Sequence, residues 1–87
     1  MKVRYVGETF FDGDGLTDGA VYTCLGVEGP FLRIIDGSGE DYLYYAKRPG
    51  PTNPSEGRGG KFEIVEDDEK GSLKAAIVNQ IASKSTQ

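Results

Sequence analysis

The chain opens on strict alternation. In "KVRYVG" (residues 2–7) Lys2 and Arg4 alternate with Val3 and Tyr5, and Val6 and Gly7 close the run. A two-residue period places Val3 and Tyr5 on one face and predicts a half-buried first strand. The pattern breaks at Glu8. "ETFFDGDGLTDG" (8–19) holds four acidic residues and three glycines, with Leu16 as its one aliphatic side chain, and predicts a long loop tied to a core at Leu16. "AVYTCLGVEG" (20–29) restores strand character, with Tyr22 and Cys24 on one face and Val21, Thr23 and Leu25 on the other. Gly26 predicts a bulge, because glycine weakens a strand unless the backbone must bend there. "EGP" then turns the chain into "FLRIID".

"IIDGSGEDYLYY" predicts a hairpin: Asp36 bonds back to the turn amides while Gly37 and Gly39 accept positive φ. Beyond the turn, Tyr42 and Tyr44 share one face and Asp41, Leu43 and Tyr45 the other, so Tyr42 and Tyr44 are expected to pack inward with Tyr45 at the surface. "KRPGPTNPSEGRGG" (47–60) has three prolines, four glycines and no aliphatic residue, and predicts a mobile loop. "KFEIVEDDE" is the last strand, with Phe62 and Ile64 on one face, before an acidic block from Glu66 to Glu69 expected in solvent.

After Gly71 the period changes. Ser72 is a candidate N-cap, and Leu73, Ala76, Ile77 and Ile81 recur at helical spacing. A helix of about 12 residues is marginal alone in water, so its apolar stripe must dock on the strands or on a second chain. Tyr5, Tyr22, Leu32, Ile34 and Ile64 are expected in or beside the core. The expected organisation is a β domain over 1–69, then a C-terminal helix and disordered tail over 70–87.

Composition narrows the class. A chain of 87 residues makes one small domain, which buries only about 60% of its unfolded surface and leaves little room for a deep cavity. Thirteen glycines and four prolines fit many short strands joined by tight turns, an all-β chain. Fourteen acidic residues against ten basic ones give a net charge of −4, a field that repels a phosphate backbone and argues against nucleic acid as the default partner. The single cysteine forms no internal disulfide, and no leader or membrane-length apolar run is visible. A cytoplasmic protein away from the membrane is expected.

The absence of histidine removes the commonest general base and the usual nucleophile pairs. Cys24, mid-strand on an apolar face, fits a small core residue better than a reactive thiolate. Glu40 and Asp41 point to opposite faces and cannot act on one bond. The expectation is a protein that is not an enzyme, with no catalytic residue and no cofactor. "DGDGLTDG" offers Asp12, Asp14 and Asp18 as hard oxygen ligands, but Leu16, Thr17 and Thr23 occupy positions where the EF-hand loop requires a ligand, a glycine and a glutamate. No metal is expected. "GDGLTDG" and "SEGRGGKF" likewise miss the glycine and hydroxyl spacing of phosphate-binding loops. Lys47, Arg48, Arg58 and Lys61 gather in one loop region as a candidate anion patch, against the acidic balance of the chain.

"LTDGAVYTCLGVEGPFLRIIDGSGEDYLYYA" followed by "KFEIVEDDE" is similar to small bacterial and prophage-encoded SH3-like proteins, with the "DGSG" hairpin the most specific part. The resemblance covers residues 2 to about 68. It implies a mainly all-β fold, a five-stranded SH3-like barrel with a short C-terminal α-helix here, and supplies no catalytic residue or ligand. In such folds the first long loop and the hairpin loops flank an aromatic groove. By that likeness a partner site is expected at Asp12, Asp14, Asp18 and Tyr45, suited to an extended basic or proline-containing peptide. Two other roles are an RNA- or ribosome-associated accessory barrel using the basic loop, and a structural subunit of a larger, phage-related assembly. The expected state is a monomer or a weak homodimer through the C-terminal helix.

Overall fold

The structure is a computed structural model and describes residues 1–51 and 58–79. Alternating apolar and polar residues form five strands: β1 (Lys2–Gly7), β2 (Val21–Glu28), β3 (Phe31–Ile35), β4 (Asp41–Tyr45) and β5 (Gly60–Glu66). Helix α1 (Ser72–Lys74) continues through Ala75–Asn79 as wider π turns. The strands make one antiparallel sheet in the order β4-β3-β2-β1-β5. β2 joins its two halves. Its first residues pair with β1 (Val3 opposite Tyr22), and from Cys24 it pairs with β3 (Cys24 opposite Ile34, Val27 opposite Leu32), with a register shift between Cys24 and Gly26. The bulge predicted at Gly26 lies at this shift.

The expected barrel does not close. β4 is bonded only to β3 and β5 only to β1, so both edges of the sheet remain. The chain leaves β5 at Asp67 to start the helix instead of running on towards β4. Asp67 accepts the N–H groups of Leu73 (2.9 Å) and Lys74 (3.1 Å), and Asp68 accepts the N–H and O–H of Ser72 (2.9 and 2.6 Å). These carboxylates satisfy amide donors that the first helical turn leaves open. Ser72 is therefore not the N-cap: Gly71, in the left-handed region at φ 71, precedes the helix, and Ser72 donates to Asp68. Half of the acidic block expected in solvent serves this cap.

Val3 and Tyr5 from β1, Tyr22 and Cys24 from β2, Leu32 and Ile34 from β3, Tyr44 from β4 and Phe62 from β5 bury one face of the sheet. Phe10 and Leu16 enter from the 8–19 loop, and the Tyr5 ring meets Phe10 and Phe62 edge-on at 6.0 and 6.3 Å. Leu73 and Ala76 are buried and Ile77 packs against the same cluster, so the described part of the apolar stripe docks within the chain. Ile81 and the rest of the tail lie outside the described residues. Ile64, expected in or beside the core, is 37% exposed. It stands opposite the buried Val3, beside the core on the edge strand β5.

The expected mobile loop falls partly on 52–57, outside the described residues. Its flanks are pinned. Pro49 is buried and accepts the Gly60 N–H at 2.9 Å, Gly59 accepts the Glu8 N–H at 3.1 Å, and the Glu8 carboxylate accepts the Arg58 N–H at 2.6 Å.

Candidate functional site

The turn between β3 and β4 forms as its residues dictate. Asp36 Oδ1 accepts the N–H and O–H of Ser38 (3.0 and 2.5 Å), and Gly39 adopts φ 86. Gly37 serves a different purpose from the one expected. Its φ is not positive, but a Cβ there would stand 1.7 Å from the Gly13 carbonyl oxygen, and its N–H donates to the Gly15 carbonyl at 2.9 Å. The hairpin is thereby stitched to the 8–19 loop, and only a glycine permits so close an approach.

Asp36 itself is buried, and its Oδ2 accepts the Tyr44 O–H at 2.6 Å. Burial, then the hydrogen bond to Asp36, push the Tyr44 phenol well above its ordinary range.

Between loop and hairpin lies a cleft of about 480 Å³. Phe11 and Asp14 line its loop side, Asp36, Ser38, Tyr42 and Tyr44 its hairpin side, and Pro51 also borders it. The loop is shaped by adjacent aromatics that part ways: Phe10 is buried, whereas Phe11 is 42% exposed with its ring edge-on to Phe10 at 5.2 Å. Phe11 and Asp12 both occupy the left-handed region, at φ 55 and 51. That conformation costs about 1–2 kcal/mol for each non-glycine residue, which the burial of Phe10 and Leu16 offsets.

Tyr42, expected inward, is half exposed. It lies on the Tyr44 face, as the period demands, but near the turn on an edge strand that face borders the cleft instead of the core. Its O–H donates to Glu40 at 3.2 Å, and this bond, with the Glu40 charge, raises its pKa.

Of the four expected partner-site residues, only Asp14 lines the cleft. Asp12 is exposed on the left-handed turn. Asp18 accepts the Gly7 N–H at 3.1 Å while its own N–H donates to Thr9 Oγ1, which holds the base of the loop. Tyr45 is exposed on the opposite face, its ring 4.7 Å from Phe31. Beside that pair, Arg33 sets its guanidinium between Glu28 (2.6 Å) and Asp41 (2.9 Å), and hydrogen bonding to Arg33 lowers both carboxyl pKa values. Among the basic residues, Lys47 Nζ donates to the Ile77 carbonyl at 3.3 Å, whereas Arg48, Arg58 and Lys61 are exposed.

Cys24 is buried, with its thiol pushed up by desolvation and its S–H directed at the Gly26 carbonyl, 3.4 Å away. Among the described residues no group of three or more Cys, Asp or Glu side chains gathers as a metal site, and no helix is long and apolar enough to cross a membrane. Phe11, Asp36 and Ser38 are the cleft residues that sequence reasoning missed. The available signal was the aromatic pair in an otherwise polar loop, since two large rings there need one anchored and one free. Comparison with protein-family models, curated proteins and solved structures gives no match.

Proposed function

We propose that the protein is a noncatalytic interaction module of SH3-like type that holds an extended segment of a partner protein in the cleft between the 8–19 loop and the β3–β4 hairpin. The observation that carries this reading is the cleft wall, where the exposed rings of Phe11 and Tyr42 stand with Asp14 and Asp36 and, among the described residues, no lysine or arginine. Aromatic walls suit proline rings and aliphatic stems, and a preformed extended peptide loses little entropy on docking. The strand order and the long first loop support the SH3-like assignment; kinship to bacterial and prophage proteins of that type rests on the sequence resemblance alone. A chain without histidine, whose one cysteine is buried, suits binding better than catalysis. The same lone cysteine favours the cytoplasm. The RNA reading is weaker, because Lys47 is engaged with the helix carbonyl and the net charge opposes phosphate.

Selection from a random peptide library against the protein, with Tyr42→Ala as the control, tests the proposal. Enrichment of extended, proline-containing peptides that the variant fails to retain is the expected result. Retention of mixed RNA that falls steeply with salt, with no peptide enriched, would replace it by the RNA reading.

A further inference from the structure

We infer that the cleft selects a lysine side chain, with Asp36 as the counter-ion of its ammonium group. The inference rests on the peptide-site reading above and adds the chemistry of the residue read.

Asp36 is a buried carboxylate, 7% exposed, in the wall of the cleft. Among the described residues its hydrogen-bond donors are neutral: the N–H and O–H of Ser38 on Oδ1 and the O–H of Tyr44 on Oδ2. No ion pair among the described residues involves it. A carboxylate accepts about four hydrogen bonds, so Oδ2 retains one position. A charge taken out of water is costly unless paired, so a cation is the favourable complement to a carboxylate held here.

The surroundings define what completes it. Asp14 also lines the cleft, and Glu40 accepts the hydroxyl proton of Tyr42, a lining residue. Each adds negative charge. The exposed Tyr42 and Phe11 rings offer faces for a cation and apolar surface for a methylene stem. The number of open acceptor positions distinguishes the two basic side chains. A guanidinium binds best through two parallel N–H bonds to both carboxylate oxygens, whereas an ammonium is satisfied by one short bond to one oxygen. With Oδ1 filled by Ser38, the single place on Oδ2 fits lysine.

The test is a titration of the isotopically labelled full chain, followed by amide chemical shifts, with the blocked pentapeptide Pro-Pro-Lys-Pro-Pro and three analogues. These carry Nε-acetyl-lysine, norleucine or arginine at the central position. The lysine peptide is expected to shift the Ser38 and Tyr42 amides and to bind at least about tenfold more tightly than the acetyl-lysine and norleucine peptides. Asp36→Asn, which keeps the shape and one acceptor, should bring lysine down to the level of acetyl-lysine. If that variant fails to fold, Tyr42→Ala, whose ring is exposed, should reduce the preference for lysine over norleucine. Equal binding of the lysine and norleucine peptides would overturn the ammonium inference while leaving the peptide site standing. Tighter binding of arginine would overturn the choice of lysine. No shift at the cleft with any of the four would sink both the inference and the peptide reading.

Discussion

Tyr44 donates its phenolic proton to Asp36 across the base of the β3–β4 hairpin at 2.6 Å, and both residues are buried. The bond ties the last inward side chain of the edge strand to the turn residue that starts the hairpin. It also fixes the carboxylate in the cleft wall, so one contact serves both the hairpin and the cleft.

Tyr44→Phe removes that donor and leaves a buried carboxylate oxygen under-satisfied. A loss of about 1–3 kcal/mol is expected in urea unfolding, because leaving a buried acceptor unpaired costs its desolvation. A loss below about half a kcal/mol would mean that water reaches Asp36 freely.

The two hairpin glycines separate two causes. Gly37→Ala drives a Cβ into the Gly13 carbonyl and should destabilise by about 2–3 kcal/mol while disturbing the cleft. Gly39→Ala meets no atom within 4 Å and suffers only the left-handed penalty at φ 86, about 1 kcal/mol. Thermal unfolding of the two variants reads the difference, and a reversed order would contradict the stitched loop.

Ile34→Ala empties a fully buried position and should cost about 2–5 kcal/mol. Ile64→Ala, at a position 37% exposed on the β5 edge, should cost less than half as much. Equal losses would mean that β5 is covered in solution.

Stability should also depend on pH in two directions. Burial, followed by the charges of Glu8 and Asp18, raises the Tyr5 phenol from 10.0 to about 12. Below pH 10.0 native and unfolded chains both hold this proton; between there and about 12 the unfolded chain loses it first, so stability falls as pH rises through that window. Tyr44, also raised, acts in the same sense. At the acid end the helix cap reverses the sign. Burial pulls Asp67 upward, but the N–H groups of Leu73, Lys74 and Asp68 outweigh it, and Ser72 lowers Asp68. Both therefore support the fold above the ordinary 3.8 and lose that support as pH drops below it. Hydrogen exchange at the Leu73 and Lys74 amides should accelerate there before exchange at Ile34.

The strands were legible because alternation is a property of the chain alone. Val3 and Tyr5, Tyr22 and Cys24, and Leu32 and Ile34 all take the faces their spacing assigns. Periodicity gives a face, however, and not a depth. Tyr42 and Tyr44 share a face and both line the cleft, yet Tyr42 is half exposed and Tyr44 buried, because exposure is decided by what crosses above the strand. Ile64, opposite Val3 on the other edge strand, is partly exposed for the same reason. The helix cap was hidden because Asp67 and Asp68 act from a run of charges that also fits a solvated turn. The cleft itself depends on Gly37 meeting the Gly13–Gly15 backbone, a pairing of distant segments that leaves no local mark beyond the glycines.

The sheet order has a kinetic consequence. Pairing Ile34 with Tyr42 closes a short loop, whereas pairing Val3 with Ile64 encloses every residue between them in the sequence. Loop-closure entropy rises with the segment enclosed, so the β2-β3-β4 meander is expected to form first and β5 to join β1 after the rate-limiting step. Substitutions in the meander should then slow refolding, while those in β5 should chiefly hasten unfolding. The cleft, built from the first loop and the meander, would be assembled before the sheet is finished, with β5 acting as the latch that decides how long it stays so.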